Sequence, residues 1–190
     1  MYRKILPILL LSSFSCFAFA DSWIPDFPGN YSPTDGYWGV WGSKERCPQG
    51  QYVDSYRLKS EDSQGGNGDD TALNGISLHC SGGSSITSTV SEWGSWGYPA
   101  YCSGPAIGFA IQIESPRGDG DDTAANDVAL KCRNGNEARA EAKTHWGNWS
   151  NYQYCPAGQV IVGLMTRVEK DQGGDDDTAL NGVRMLCGTL

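Results

Sequence analysis

An eight-residue segment is written three times in this chain, and no other feature limits its fold as much. Gly-Asp-Asp-Thr-Ala-Leu-Asn-Gly at Gly68 to Gly75 returns as Gly-Asp-Asp-Thr-Ala-Ala-Asn-Asp at Gly120 to Asp127. It returns again as Asp-Asp-Asp-Thr-Ala-Leu-Asn-Gly at Asp175 to Gly182. A cysteine follows each Thr by nine positions: Thr71 to Cys80, Thr123 to Cys132, Thr178 to Cys187. A second signature, W-G-x-W, also occurs three times, at Trp38 to Trp41, Trp93 to Trp96 and Trp146 to Trp149. Cys47, Cys102 and Cys155 each lie six residues beyond its second Trp. Self-similarity at a period of roughly 53 residues means one supersecondary unit used three times around a shared core.

The unit is made of strands. After each Thr, apolar residues alternate up to the cysteine: Ile76, Leu78, Cys80; Val128, Leu130, Cys132; Val183, Met185, Cys187. A period of two puts them on one sheet face. Tyr56 and Leu58, Phe109 and Ile111, and Leu164 and Thr166 mark a strand before each Gly-rich loop. Ile86 to Glu92 and Ala138 to His145 alternate as well, which predicts a further strand upstream of W-G-x-W. No apolar stripe of helical period runs for three turns, and glycine-rich loops suit a strand-and-turn protein.

Residues 1–20 read as a leader. Arg3 and Lys4 precede the apolar stretch Ile5 to Leu11, which is too short to span a bilayer, and Ala18-Phe19-Ala20 offers a small-x-small cleavage site before Asp21. The expected location is therefore secreted and extracellular, without membrane insertion. Loss of the leader takes Lys+Arg from 14 to 12 against 22 Asp+Glu, a net charge of −10. Such a surface repels phosphate backbones, and no basic patch interleaves with aromatics, so nucleic acid is not an expected partner. Residues 21–36, with Pro25, Pro28 and Pro33, read as an extended arm. Residues 37–190 then read as one domain of three repeats, at about 37–84, 85–137 and 138–190.

Six cysteines remain after the leader, an even number suited to an oxidising compartment. Of the fifteen possible pairings, threefold equivalence leaves few. The simplest is Cys47–Cys80, Cys102–Cys132 and Cys155–Cys187, each clipping one repeat to itself. Each would close a loop of about 30 residues, for roughly 3–4 kcal/mol in the chain-entropy model. Close ligand pairs such as C-x₂-C are absent, so no cysteine metal site is expected.

Three four-stranded units can close as a three-sided prism around a pseudo-threefold axis. A β-trefoil is the rival, but the Q-x-W signature common in lectin-type trefoils is missing. W-G-x-W, a cysteine, a strand ending in Glu, a Gly-rich loop with G-D-D-T-A-x-N and a strand ending in cysteine together resemble the vitelline membrane outer layer protein I family. The resemblance covers about 37–190. It implies an all-β fold, a β-prism of three Greek-key sheets with pseudo-threefold symmetry. It also implies an extracellular coat or matrix role and a link to N-acetylglucosamine oligomers. Ala125 and Asp127 depart from the pattern, standing where the other copies have Leu and Gly.

Each repeat offers a Glu and an Asp pair: Glu61 with Asp69 and Asp70, Glu114 with Asp121 and Asp122, Glu169 with Asp176 and Asp177. Hairpin geometry would bring each Glu to its own pair, and two carboxylates flanking a sugar bond are what glycoside chemistry needs. The bland alternative is turn chemistry, in which Asp, Thr and Asn hold tight loops in shape, and threefold recurrence favours it. Calcium could use Asp119 and Asp121, but the regular ligand spacing of an EF-hand is missing, so no metal is expected. Trp38, Trp93 and Trp146 could stack on sugars. Recurrence instead favours paired indoles that fill the core against the disulfides, with one of each pair inside. His79 and His145 read as surface residues without a nucleophile. Arg117-Gly118-Asp119 spells an adhesion tripeptide, and Asn30 and Asn148 open glycosylation sequons.

The sequence therefore predicts a secreted structural or glycan-binding protein without catalysis or cofactor. Its expected partners are N-acetylglucosamine-containing glycans or matrix proteins. The alternative is an enzyme transferring or cleaving N-acetylglucosamine oligomers with one Glu/Asp pair. A host-directed interaction protein is a third reading, supported only by secretion.

Overall fold

The computed structural model describes residues 20–24, 38–65, 71–114, 125–170 and 178–190. Everything regular in them is strand. The chain begins with β1 (Ser22–Trp23), β2 (Val40–Trp41) and β3 (Glu45–Arg46), then forms the long pair β4 (Val53–Ser60) and β5 (Leu73–Cys80). After β6 (Ser85–Thr87), β7 (Ser95–Trp96) and β8 (Ala100–Tyr101) comes the second long pair, β9 (Ala106–Ile113) and β10 (Ala125–Cys132). The short strands β11 (Glu137–Arg139), β12 (Asn148–Trp149) and β13 (Gln153–Tyr154) lead to the third, β14 (Val160–Val168) and β15 (Leu180–Gly188).

Each long hairpin is the middle of one antiparallel sheet. The first sheet runs β6-β5-β4-β7 with β8 also on β4, and the second runs β11-β10-β9-β12 with β13 also on β9. In both, three consecutive strands are joined by a later one that returns beside the first, which is the Greek-key order. The third sheet, β1-β15-β14-β2 with β3 also on β14, takes its outer strands from the start of the chain. The first residues of the proline-rich arm thus lie in that sheet, with Ser22 opposite Cys187 and Trp23 opposite Leu186. Asp21 reinforces the join through Arg46, whose Nε lies 2.6 Å from Asp21 Oδ2.

The sequence repeat and the sheet are therefore different units. Every W-G-x-W segment pairs with the long hairpin of the preceding repeat, or, for the first, with that of the last. The disulfides Cys47–Cys80, Cys102–Cys132 and Cys155–Cys187 close within the repeats. Yet Cys47, Cys102 and Cys155 extend edge strands, donating backbone N–H groups to Val162, Asp54 and Ile107 carbonyls. Each bridge consequently ties one sheet to the next, and the three make a closed covalent ring.

The inner faces supply one core. Leu58, Ile76, Leu78, Ile111, Leu130, Leu164, Val183 and Met185 are fully buried, each contributing roughly 1.5–3 kcal/mol. The period-two reading of the long strands thus identifies the core face. Tyr56 brings a polar group into it: its buried hydroxyl accepts the Ala140 N–H at 2.8 Å and donates to Val128 O, joining first and second sheets. Burial raises its pKa well above the ordinary phenol value.

The segments predicted as further strands pair over three residues only, as β6 and β11. Their alternation persists because they leave their own sheet and cross a neighbouring one. Ser88, Ala140, Ala142 and Thr144 stay buried. Ser88 Oγ donates to Ser43 O at 2.7 Å and accepts Thr166 N–H at 3.2 Å, while Thr166 Oγ1 donates to Thr89 O at 2.6 Å.

Candidate functional site

The W-G-x-W glycines explain how the repeated motifs meet. Gly39, Gly94 and Gly147 all have positive φ, at 85°, 71° and 81°. A Cβ on any of them would lie within 2.5 Å of backbone: Val168 C for Gly39, Ser60 C for Gly94, Ile113 O for Gly147. Only glycine allows this approach. Each loop is thereby pressed onto the residues just before a repeated Glu, so Trp38 sits at Glu169, Trp93 at Glu61 and Trp146 at Glu114.

Below the Trp93 and Trp38 loops runs a short polar relay. Asn74 Nδ2 donates to Thr71 Oγ1 at 2.8 Å, and Thr71 Oγ1 donates to Glu61 Oε2 at 2.7 Å. In the third repeat Asn181 Nδ2 donates to Thr178 Oγ1 at 2.6 Å, and Thr178 donates through both its hydroxyl and its N–H to Glu169 Oε2. Asn181 Oδ1 accepts the Trp38 N–H and Asn126 Oδ1 the Trp146 N–H, both at 3.2 Å. Ala72 and Ala179 between these residues adopt left-handed φ of 51° and 47°, a cost of about 1–2 kcal/mol each. Carbonyl bonds hold them there: Glu61 N–H and Asn74 Nδ2 on Ala72, Glu169 N–H and Asn181 Nδ2 on Ala179.

A third group, not recognised in the sequence, fixes the loops from the strand side. Lys59 Nζ donates to Ser91 O and Glu92 O, both at 2.8 Å. Gln112 Nε2 donates to His145 O at 2.8 Å and Gly147 O at 3.2 Å. Arg167 Nε donates to Gly39 O at 3.1 Å. The available signal was a long donor side chain two residues before every repeated Glu. Its changing identity concealed it.

The indoles lie outside the core, contrary to the expectation from recurrence. Trp38, Trp93, Trp146 and Trp149 are exposed, while Trp41 and Trp96 are half-buried. The positive-φ glycine breaks strand alternation between the members of a pair, so neither turns inward. The second indole of each pair lies under a guanidinium instead, with Arg184 4.4 Å from the centroid of Trp41, Arg57 4.8 Å from Trp96 and Arg139 4.6 Å from Trp149. These arginines come from non-equivalent strands, and no repeated sequence signal marks them.

Of the acidic candidates, Glu61 and Glu169 face their own loop threonines, and Glu114 is buried. Asp69, Asp70, Asp121, Asp122, Asp176 and Asp177 lie outside the described residues, as do Asp119, the Arg117-Gly118-Asp119 tripeptide and Asn30. Asn148 is exposed on β12, its backbone opposite Ile113. His79 Nδ1 lies 2.9 Å from Asp54 Oδ1 at the surface. Asp127 is buried, and its carboxyl is pushed up to about 6 by desolvation, against the opposing pull of the Val128 N–H and the charges of Arg139 and His145.

Contacts between sheets gather the loops at one end of the prism. Val40, Trp41, Glu169 and Lys170 of the third sheet share a groove of about 530 Å³ with Glu92 and Trp93 of the first. Lys143, just before Trp146, lies 3.4 Å from Asp62, just after Glu61. The arrangement offers exposed aromatic faces beside carboxylates, an ammonium and rigid backbone.

Comparison with known proteins fits this construction. The vitelline membrane outer layer protein I (VOMI) family model matches residues 29–190. The human vitelline membrane outer layer protein 1 homolog is 37% identical over 198 residues, covering 97% of this chain and 95% of its own length. The mouse homolog is 37% identical over 195 residues, covering 95% and 94%. Among solved structures, a prostate-specific glycoprotein lectin aligns with TM-score 0.52 and 12% identity, over 82% of this chain and 97% of the lectin. Artocarpin in complex with mannopentose aligns with TM-score 0.51 and 11% identity, over 82% and 93%. The V. cholerae biofilm matrix protein Bap1 gives 0.52 and 13%, over 91% of this chain and 24% of that one. At such identities these three structures establish a shared β-prism fold alone.

Proposed function

The chain belongs to the vitelline membrane outer layer protein I family, and from that premise we propose that it is secreted and acts in an extracellular layer as a glycan-binding protein. The observation that carries this reading is the set of exposed indoles, Trp38, Trp93 and Trp146, each on a loop whose glycine is pressed onto the backbone at Glu169, Glu61 or Glu114. Indole faces stack on the C–H patches of sugar rings, and neighbouring polar groups orient the hydroxyls. A lectin of the same fold is known in complex with mannopentose, and relatives are named for the outer layer of the vitelline membrane. The leader-like residues 1–20, three disulfides and an acidic surface suit an extracellular setting.

N-acetylglucosamine-containing glycans are the proposed ligand class. Glu61 and Glu169 spend acceptor capacity on their own turns, which favours binding over acid–base work. A glycan panel containing N-acetylglucosamine and mannose oligomers tests the reading. Retention on such glycans that falls when Trp38, Trp93 or Trp146 becomes Ala supports it. Folded, disulfide-intact protein that binds nothing across a broad panel overturns it. Incubation with an N-acetylglucosamine hexamer, read by mass spectrometry, tests the enzymatic alternative. New oligomer lengths abolished by Glu→Gln in one repeat would replace binding with catalysis.

A further inference from the structure

If recurrence builds the frame, selectivity belongs where the copies differ, and the two junctions between sheets that are described differ from each other. Between the first and second sheets, Lys143 stands three residues before Trp146 and reaches Asp62, the residue after Glu61, at 3.4 Å. Between the third and first sheets the corresponding positions are Val90, three residues before Trp93, and Lys170, after Glu169. No ion pair crosses there among the described residues, and the groove of about 530 Å³ occupies the space. The corresponding residues of the remaining junction lie outside the described set.

We propose that this groove is a single oligosaccharide-binding cleft, open to a chain of neutral sugars where the Lys143–Asp62 pair bridges the neighbouring junction. Trp93 is the stacking face on one wall, and Trp41 and Val40 form the other. Glu92, Glu169 and Lys170 supply acceptors and donors of mixed charge, which suits hydroxyls and acetamides better than a polyanion or polycation. Its volume is within the roughly 300–1,000 Å³ of small-molecule sites.

Both walls are fixed before a ligand arrives. Lys59 pins the Ser91 and Glu92 carbonyls, and the Ser91 N–H donates to Asn74 O at 2.8 Å. Opposite, Arg167 holds the Gly39 carbonyl and Arg184 backs the Trp41 ring. Little ordering remains to be done on binding.

This inference rests on the glycan-binding reading and is tested by titration calorimetry of the full chain with an N-acetylglucosamine hexamer and with mannopentose. One chain bound per protein is expected with at least one of them. Trp93→Ala should weaken binding about tenfold or more, and Tyr154→Ala, on the outer face of the second sheet, should leave it unchanged. The pair Val90→Lys with Lys170→Asp recreates the ion pair of the neighbouring junction and should abolish binding while keeping a cooperative melt. If that variant does not fold, Trp93→Ala decides alone. Wild-type affinity in Trp93→Ala, or three chains bound per protein, overturns the cleft and leaves glycan binding standing. A wild-type protein that binds neither sugar removes both.

Discussion

Asn181 accepts the backbone N–H of Trp38 at 3.2 Å across 143 positions of sequence. One buried carboxamide thus fastens the first W-G-x-W loop to the last repeat, while its other end holds Thr178. Asn181→Ala leaves the loop N–H and the Thr178 hydroxyl short of a partner. Stability should fall by about 2–3 kcal/mol, read as a lower urea midpoint with unchanged slope. An effect below about 0.5 kcal/mol would mean that the relay carries no weight.

Gly94 and Gly158 separate two reasons for keeping glycine. Both have positive φ, but a Cβ at Gly94 would lie 2.5 Å from Ser60 backbone, whereas at Gly158 it meets nothing within 4 Å. Gly158→Ala should cost about 1 kcal/mol. Gly94→Ala should cost more than about 3 kcal/mol through displacement of the loop, seen in paired thermal melts. Equal costs would assign the whole requirement to backbone strain.

Asp127 stands where repeats one and three have Gly75 and Gly182. Its carboxyl is pushed up to about 6, above the roughly 3.9 of an unfolded chain. The folded state therefore holds this proton more tightly. The resulting stabilisation is complete below about pH 4 and is lost as pH rises through about 6. Asp127→Asn should melt higher than wild type at pH 8 and converge with it near pH 4. Parallel melting curves across that range would contradict the burial argument.

The bridges should be close to interchangeable. Their sequence separations are 33, 30 and 32 and each joins two sheets. Removing any one by paired Cys→Ser changes should cost about 2–5 kcal/mol. Denaturation of the three double variants checks this, and one dispensable bridge would break the threefold account.

The long hairpins and their buried face were legible because alternation is a local property, visible in Ile76, Leu78 and Cys80 or in Val183, Met185 and Cys187. The pseudo-threefold plan followed from spacing. What could not be read was how repeats share sheets, because a strand of two residues such as β7 leaves no periodic trace. The placement of the indoles was misread for a related reason. Recurrence says that a residue serves the frame, but a residue can do so from outside, as Trp41 does beneath Arg184. The donors Lys59, Gln112 and Arg167 escaped notice because a carbonyl accepts from any of them, so position mattered more than identity.

Ser22 and Trp23 are made long before the residues they pair with. Their places lie beside Cys187 and Leu186, which leave the ribosome much later. The third sheet must wait with a vacant margin, and pairing so remote in sequence is slow to find. Until it forms, β15 offers bare amides and carbonyls that the corresponding strand of a sister molecule fits equally well. Crowded nascent chains could trade these ends, since the Asp21–Arg46 contact forms equally well in the exchanged arrangement, and the tether within one chain is what favours the internal match.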